Sequence, residues 1–259
     1  MNILITGGRS GIGYASAMAL LEKGHFVYLT TETEKQLEAL QEKEELKNKN
    51  IKLIKLDITN EEDRKKIEDL DIDVLINNAS IGIGGSIVEA DIKKIRENYE
   101  VNIFGMIELT QLVIKKMISK NKGRILMLSS IIADMPLPWL GIYSSTKAAI
   151  KNLTICLSKE LKQLDSNVKA IIIEPGAYHT GSNQVMLENK YDDDDSVFKD
   201  IREKIRDKEN LIFNTLESHD LKSIADKIVE AVEDEKPKLI YMAPFTQSLV
   251  QKIYTIAKK

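Results

Sequence analysis

Residues 2–13 read NILITGGRSGIG, and this stretch decides the fold. Residues 2–6 are a short apolar run of the kind that forms a buried strand, and residues 12–23 have helical spacing. The glycines between them let the backbone turn tightly and approach a phosphate, which the free N–H groups of a helix N-terminus attract. The stretch therefore predicts a strand, a turn and a helix that bind a nucleotide, with a turn that only packs as the alternative.

The same alternation continues along the chain. Further apolar runs predict strands at 25–30, 51–56, 72–77, 124–129, 168–174 and 238–242. The segments between the runs predict helices at 34–47, 61–70, 91–120, 142–164 and 221–234. Alternating strands and helices predict an α/β fold, a doubly wound parallel sheet of about seven strands of the Rossmann type with helices on both faces. We expect residues 1–259 to form a single domain.

Composition narrows the function classes. The formal net charge is -3, so no general basic field would attract nucleic acid, and we expect no nucleic-acid partner. The single cysteine, Cys156, has apolar neighbours and is expected in the core. One cysteine excludes an intrachain disulfide framework, which fits a reducing compartment, and we expect a cytoplasmic protein. No run reaches the roughly 18 apolar residues of a spanning helix.

The alternation breaks once, at about residues 177–220. A connection this long is typically a functional lid or disordered, and we expect a substrate loop here. Its acidic run, Asp192–Asp195, lacks a spaced ligand pattern, so a solvated loop tip is favoured and no metal site is predicted. The apolar residues of the segment either line a substrate lid or cap the core: Met186, Leu187, Phe198 and Phe213.

A second constellation lies at Tyr143 and Lys147, four residues apart and therefore on one face of a predicted helix. A phenol with a pKa of about 10 is a poor acid or base at neutral pH, but a nearby ammonium lowers that pKa. Alone, this spacing is typical of a surface pair. Ser130 favours the catalytic interpretation, because it follows the fifth strand, where open α/β sheets place their ligand crevice.

Together these motifs resemble the short-chain dehydrogenase/reductase family, in family order and over nearly the whole chain. The matching residues are Thr6, Gly7, Gly11 and Gly13 of the glycine motif, Asn77, Asn78 and Ala79 after strand four, Asn102 within the long helix, Ser130, Tyr143 and Lys147, and Pro175, Gly176 and Thr180 after strand six. The resemblance implies an NAD(P)-dependent oxidoreductase that moves a hydride between nicotinamide and a carbonyl or alcohol carbon.

The resemblance also implies catalytic roles. Tyr143 would be the general acid in reduction and the base in oxidation. Lys147 would hold the nicotinamide ribose and lower the pKa of Tyr143, and Ser130 would stabilise charge on the substrate oxygen. Asn102 would fix a water in a proton relay behind Lys147.

For the cofactor, the resemblance implies a set that runs along the carboxyl ends of the strands. Asp57 would contact adenine, Asn78 would line the cleft, and Thr180 would bind the carboxamide or pyrophosphate side. The full set is Thr6, Gly7, Arg9, Ser10, Gly11, Ile12, Gly13, Glu32, Asp57, Ile58, Asn78, Ala79, Tyr143, Lys147, Pro175, Gly176 and Thr180.

Two departures from the family pattern bear on the cofactor. Ser80 replaces the glycine that usually follows Asn-Asn-Ala, and we expect a local shift rather than lost binding. After strand two, Thr31 stands where NAD-dependent relatives usually have aspartate, and Glu32 where NADP-dependent ones often have arginine. Glu32 would accept a bond from a ribose 2′-hydroxyl, Arg9 would pair with a 2′-phosphate, or the two would pair with each other. The choice between NADP and NAD stays open, with a slight lean to NADP.

The substrate is expected to be a small carbonyl or alcohol compound. The segment 136–140, PLPWL, suggests an apolar wall beside Tyr143 and so an apolar, lipid-like or steroid-like ketone. Two other functions stay open. One is a nucleotide-bound regulatory module without turnover, against which the intact Ser130, Tyr143 and Lys147 argue. The other is an epimerase or dehydratase, for which the glycine spacing and chain length fit less well.

Two surfaces point to partners. Apolar residues surround most of the predicted helix 91–120, so a second subunit is expected to cover part of it. The family resemblance implies a homodimer or homotetramer. Near the C-terminus, apolar residues fall close to helical spacing with lysines nearby: Phe245, Leu249, Ile253 and Ile256, with Lys252, Lys258 and Lys259. Packing on the lid or a neighbouring subunit is favoured here over a membrane surface, so membrane contact is not expected.

Overall fold

The protein is described by a computed structural model that covers residues 1–47, 49–181, 186 and 196–257. Seven parallel strands form one sheet in the order β3-β2-β1-β4-β5-β6-β7. The strands are β1 (Asn2–Ile5), β2 (Phe26–Thr31), β3 (Ile51–Lys55), β4 (Val74–Asn77), β5 (Arg124–Leu128), β6 (Lys169–Pro175) and β7 (Ile240–Ala243). The predicted doubly wound α/β fold is confirmed. The strand order reverses between β1 and β4, where such sheets open a ligand crevice.

Helices connect the strands. They are α1 (Gly11–Glu22), α2 (Glu34–Gln41), α3 (Glu61–Lys65), α4 (Ile92–Tyr99), α5 (Met106–Ser119), α6 (Gly141–Gln163), α7 (Arg202–Leu216), α8 (Lys222–Glu233) and α9 (Phe245–Ala257). The predicted helix 91–120 is divided by a π-helical turn at Glu100–Gly105. Single π turns inside helices are frequent at functional sites.

Side chains of the central strands alternate between two apolar cores. Ile3 and Ile5 are fully buried on one face, against α1 and α8. Leu4 is fully buried on the other face, in the core that includes Leu109 of α5. Burying one such side chain stabilises a protein by about 1.5–3 kcal/mol. The two cores hold the strands rigidly, so the loops at their carboxyl ends have a fixed frame.

The segment 177–220 differs from the predicted loop, because it contains α7 and a 3-10 turn at Lys199–Ile201. The predictions for Leu187 and Asp192–Asp195, and for the side chain of Phe213, lie outside the described residues. The prediction for Cys156 is wrong. Cys156 is exposed, because it lies on the outer face of α6. The buried apolar residues of that helix include Ile150 and Leu161.

Within the ranges that the structure describes, no helix is both long enough and apolar enough to cross a bilayer.

Candidate active site

The glycine turn after β1 packs so closely that larger residues would not fit. Gly7 has a φ of +66°, and a Cβ there would lie 2.7 Å from the Ala79 Cα. A Cβ at Gly13 would lie 2.5 Å from the Asn78 Nδ2. Ser10 precedes α1 with an extended backbone, and its side chain does not cap the helix. The first N–H groups of α1 therefore keep their capacity to bind an anion, as a dinucleotide pyrophosphate requires.

Thr6 and Asn78 shape this turn from below. The Thr6 hydroxyl accepts the backbone N–H groups of Asn78 and Ala79, at 3.0 and 2.9 Å. The Asn78 amide donates to the carbonyls of Thr6 and Gly7, at 2.8 and 2.9 Å. The hydrogen bonds of both side chains thus join the ends of β1 and β4. They define the wall of the cleft rather than offer free groups to it.

The adenosine end of the cleft holds opposite charges. Arg9 and Glu32 are both exposed, and in the described part of the chain they form no ion pair with each other. The Glu32 backbone N–H donates to the Gln36 Oε1 at 3.1 Å. The Asp57 Oδ1 accepts from both the N–H and the hydroxyl of Thr59, at 2.9 and 2.7 Å, which leaves its other oxygen for a ligand.

Ile58 follows Asp57, and its side chain is buried in the core. Any contact between Ile58 and a nucleotide would therefore use its backbone.

Tyr143 and Lys147 lie one turn apart on α6, as their spacing predicts. The Lys147 Nζ lies 5.5 Å from the centroid of the Tyr143 ring. The Lys147 side chain is buried, and its ammonium donates to the Leu128 carbonyl at 3.0 Å. Within the described residues this is its one hydrogen bond, so two of its three donors have no protein partner. A buried ammonium with two open donors fits the paired hydroxyls of a ribose.

The pKa of Tyr143 differs from the expectation that Lys147 lowers it. Burial raises the pKa of Tyr143 to about 12. Burial also lowers the pKa of Lys147 to about 8. In this environment the cost of removing charge from water exceeds the attraction between the ammonium and the phenolate. Tyr143 is therefore a neutral phenol at neutral pH, beside an ammonium whose pKa is lowered. Such a phenol is better suited to donate a proton than to accept one.

Ser130 lies directly after β5 and begins a 3-10 turn at Ile131–Ala133. Its hydroxyl donates to the Pro175 carbonyl at 3.4 Å and accepts the Ile132 N–H at 3.3 Å. Both distances are long for hydrogen bonds of a hydroxyl. The Ser130 hydroxyl is therefore weakly held and can turn toward a substrate oxygen.

Asn102 lies buried in the π-helical turn, but its amide has other partners than the expected water. Its Oδ1 accepts the Ile81 N–H at 2.9 Å, and its Nδ2 donates to the Ile81 carbonyl and the Thr146 hydroxyl, at 2.8 and 3.1 Å. It positions residue 81 against α6. Sequence reasoning missed Asn98, one turn earlier, which donates to the same carbonyl at 2.9 Å. Among the described residues the Asn98 Oδ1 is buried with no partner, and such an acceptor is where an ordered water binds.

The loop after β6 brings Thr180 to the glycine turn. A Cβ at Gly11 would lie 3.1 Å from the Thr180 Cβ, so Thr180 lies against the N-terminus of α1. Pro175 ends β6 and is buried, and the Gly176 N–H donates to the Ala243 carbonyl at 2.7 Å. His179 is held by the largely buried Glu217, at 2.8 Å. The loop thus reaches the place where the resemblance puts the pyrophosphate and carboxamide.

Apolar and aromatic groups cover the substrate side. Trp139, in the predicted apolar wall, contacts the Phe198 ring edge to face with centroids 4.6 Å apart. Trp139 has a φ of +67°, a left-handed conformation that is strained for a bulky residue and is typical of functional sites. Met186 is buried, and a Cβ at Gly82 would lie 3.0 Å from its sulfur. The described parts of segment 177–220 therefore pack against the segments that carry Gly82 and Trp139.

A buried charged network lies one turn beyond Lys147. Lys151 contacts Asp134 at 2.5 Å and the buried Glu174 at 2.7 Å. The Gln251 amide of α9 donates to the same two carboxylates, at 2.7 and 3.2 Å. Sequence reasoning missed this network, although Lys151 continues the helix face of Tyr143 and Lys147. It fixes the segments that follow β5 and end β6, on which Ser130 and Pro175 lie.

Within the described residues, no group of three or more His, Cys, Asp or Glu side chains is arranged to hold a metal ion.

Comparison with known proteins identifies the family. The short chain dehydrogenase family model matches residues 1–191. The 3-ketodihydrosphingosine reductase of Bacteroides thetaiotaomicron is 32% identical over 185 residues, which are 69% of this chain and 64% of that protein. The match thus covers less than two thirds of that reductase. The NADP-dependent 3-hydroxy acid dehydrogenase YdfG of Salmonella typhi is 32% identical over 189 residues, 68% of this chain and 72% of that protein.

The fold agrees with solved structures. A short chain dehydrogenase/reductase from Burkholderia phymatum, solved in complex with NAD, superposes with a TM-score of 0.81 at 18% sequence identity. The superposition covers 98% of this chain and 91% of the Burkholderia phymatum chain. At 18% identity this similarity supports the fold alone. The family assignment rests on the match of the family model to residues 1–191. The chain belongs to the short-chain dehydrogenase/reductase family of oxidoreductases.

Proposed function

We propose that this protein reduces a carbonyl compound to an alcohol, reversibly, with a nicotinamide dinucleotide as the cofactor. The observation that carries the proposal is the buried Lys147 ammonium, one helical turn from Tyr143, to which the described residues give one hydrogen bond. A protein that only bound a nucleotide would have no need for a neutral phenol beside that ammonium. The N-terminus of α1 has no side-chain cap and would supply the pyrophosphate site. It lies at the same edge of the sheet as Lys147, although it follows β1 in the chain and Lys147 follows β5.

A nicotinamide dinucleotide held by the glycine turn and Lys147 would supply the hydride that the carbonyl carbon accepts. Tyr143 gives its phenolic proton to the carbonyl oxygen, so the products are an alcohol and the oxidised cofactor. Ser130 donates a hydrogen bond to that oxygen while negative charge develops on it. Lys147 holds the ribose hydroxyls and stabilises the phenolate that Tyr143 becomes when it loses its proton. Asn102 and Asn98 act through residue 81, which they hold against α6.

Burial raises the pKa of Tyr143 to about 12, so the cofactor-free protein holds this group in the protonated form that reduction uses. The phenol is protonated at neutral pH and ready to donate. Oxidation requires the phenolate, so its rate should be low at neutral pH and should first rise with pH, then fall as Lys147, whose pKa burial lowers to about 8, loses its charge.

We propose that both NADP and NAD are accepted, with NADP preferred. Arg9 and Glu32 stand exposed at the adenosine end, one attracting a 2′-phosphate and the other repelling it. The relatives point both ways, since YdfG is NADP-dependent and the Burkholderia phymatum structure holds NAD.

For the substrate we propose an apolar ketone. The contact between Trp139 and Phe198 and the buried Met186 give the site an apolar cover on that side. The similarity to a 3-ketodihydrosphingosine reductase supports a long-chain ketone among such compounds. Residues 177–220 would close over it as the lid.

We further propose a homo-oligomer in the cytoplasm. Ile92 and Phe104, on the helix predicted to be buried on more than one side, are 59% and 53% exposed, and a second subunit would cover them.

The function is tested by replacing Tyr143 with phenylalanine. A panel of apolar ketones is screened with both reduced cofactors by nicotinamide absorbance, and the best ketone is used for the variant. Tyr143→Phe should lower kcat by about 10²–10⁴-fold, because such acid groups typically contribute that much, while cofactor binding persists.

The matched control is Tyr241→Phe, which removes a hydroxyl that bonds Asp234 far from the site and should leave kcat unchanged. If Tyr143→Phe keeps more than a tenth of the wild-type rate, Tyr143 is not the acid. Cofactor binding without turnover of any ketone would instead favour a regulatory module, and turnover without net cofactor oxidation would favour an epimerase.

A further inference from the structure

Helix α9 is oriented with its polar side toward the protein. Among the side chains of α9 that the structure describes, Ser248 and Gln251 are the buried ones, 6% and 3% exposed. The Ser248 hydroxyl donates to the Pro244 carbonyl at 3.0 Å, and the Gln247 Oε1 accepts the Ala177 N–H at 2.7 Å. Surface helices of globular proteins normally do the opposite and bury an apolar stripe.

The buried charged network fixes this orientation. Gln251 donates to Asp134 and to Glu174, which is itself 1% exposed. Rotating α9 to bury its apolar side would withdraw these donors from a buried carboxylate. Leaving such a group short of hydrogen bonds is costly, so the inverted orientation follows from the network.

The opposite side of α9 is apolar and faces outward. Its exposed apolar residues are Phe245 (79%), Leu249 (48%), Val250 (54%), Ile253 (59%) and Tyr254 (38%), and the exposed Thr246 lies among them. At about 100° per residue they span roughly half of the helix circumference. The expectation is that these residues pack on the lid or on a neighbouring subunit, and in the single chain Leu249 and Ile253 are exposed. A continuous apolar face of this kind indicates an interaction site.

The charge of the C-terminal segment indicates which kind of partner would bind this apolar face. Residues 245–259 contain three lysines, Lys252, Lys258 and Lys259, and no acidic residue, whereas the whole chain has a net charge of -3. A two-fold contact between copies would bring two such basic segments together, because each copy presents the same patch. An apolar helix face in a basic segment instead suits the headgroup region of an anionic bilayer, which attracts lysines and accepts apolar side chains.

We propose that α9 docks on the surface of an anionic lipid bilayer. Its 13 residues span roughly 20 Å, less than the roughly 30 Å of a hydrocarbon core, so the helix lies in the surface rather than across it. Because α9 follows β7 directly, it begins at the carboxyl edge of the sheet, where Ser130 and Lys147 also lie. The docked protein would present its site to the membrane.

Flotation with lipid vesicles tests the docking, and it uses neither substrate nor cofactor, so it is independent of the proposed reaction. The full chain is mixed with vesicles of phosphatidylcholine alone or with about 30% phosphatidylglycerol. We expect at least fivefold more protein to float with the anionic vesicles, and less at high salt. Ile253→Glu and, separately, Leu249→Glu should each lower that flotation at least fivefold.

The matched control is Leu164→Glu. Leu164 is 63% exposed, close to the 59% of Ile253, but it follows α6 at the opposite edge of the sheet. This variant should float like the wild type, and thermal unfolding should show all three variants folded. The proposal is overturned if the wild type does not float, if it floats equally with both vesicles, or if both α9 variants float unchanged. It is also overturned if light scattering shows a dimer that Ile253→Glu dissociates, since a second copy then covers the face.

Discussion

Lys147 combines two properties that oppose each other. It is nearly fully buried, and its one described hydrogen bond goes to the Leu128 carbonyl, yet the proposed reaction needs it charged. Burial lowers its pKa to about 8, from an ordinary value of 10.5. Functional residues are often kept at such a cost in stability. The cost can be measured separately from the activity.

Lys147→Met should damage activity and relieve this cost. Cofactor KM should rise and kcat should fall, and the profile for alcohol oxidation should move to higher pH, because the group that stabilises the phenolate is lost. Steady-state kinetics with both cofactors measures this. An unshifted profile with unchanged rate and affinity would show that Lys147 has no part in the reaction.

The stability of the cofactor-free protein supplies the second half of this prediction. The folded-state pKa lies below the unfolded one, so between pH 8 and about 10.5 the unfolded chain binds more protons, and the free energy of unfolding rises with pH. Wild type should gain about 1–3 kcal/mol over this window relative to Lys147→Met. Calorimetry of both proteins at several pH values checks it, and parallel curves would contradict the burial of the charge.

Among the elements, the turn after β1 and the end of β2 together would form the proposed adenosine pocket. The two strands are paired in parallel, so their carboxyl ends place Arg9 and Glu32 at one edge. Both are exposed and partly screened, so neither should dominate the choice of cofactor.

Arg9→Ala should weaken the use of NADP more than that of NAD, because a guanidinium binds a 2′-phosphate through charge-assisted hydrogen bonds. Glu32→Ala should improve NADP relative to NAD by removing a repulsive carboxylate. The ratio of kcat/KM for the two cofactors measures both effects, and Glu34→Ala, another exposed acid nearby, is the control. Changes below about threefold, about 0.65 kcal/mol, in both variants would place the phosphate elsewhere.

Elements with one strong local signal were predictable from the sequence. β1 and the glycine turn were, because an apolar run and closely spaced glycines have few alternative structures. The division of the helix 91–120 was not, because the π-helical turn depends on Asn102 bonding the distant residue 81. The orientation of α9 was not either, since its apolar spacing alone predicts burial, whereas Gln251 and the distant Glu174 reverse it.

The site residues divide in the same way. Tyr143 and Lys147 could be placed together from spacing on one helix. The pKa of Tyr143 could not, because burial depends on the whole fold and here outweighs the ammonium. Asn98 gave no signal in the sequence, because its importance comes from a carbonyl brought to it by another segment.

For the whole molecule, the proposed cofactor would join loops that the chain separates widely. The turn at Gly7, the end of β5 at Ser130, helix α6 at Lys147 and the loop at Thr180 all lie at the carboxyl edge of one sheet. A ligand that contacts all of them binds the folded state and not the unfolded chain. It must therefore raise the free energy of unfolding in proportion to the logarithm of its concentration.

At a concentration of about 100 times Kd, NADP should add about 2.7 kcal/mol to the free energy of unfolding. For a chain of this size that corresponds to a rise in Tm of roughly 5–10 °C. NAD should give a smaller rise at equal concentration, and adenosine, which lacks the pyrophosphate, almost none. Lys147→Met should reduce the rise with either dinucleotide while starting from an equal or higher Tm, because the variant loses the ribose contact and the buried charge together. Scanning calorimetry measures all of these, and a Tm that neither dinucleotide moves at millimolar concentration would mean that the glycine turn does not bind a nucleotide, however closely the fold resembles one that does.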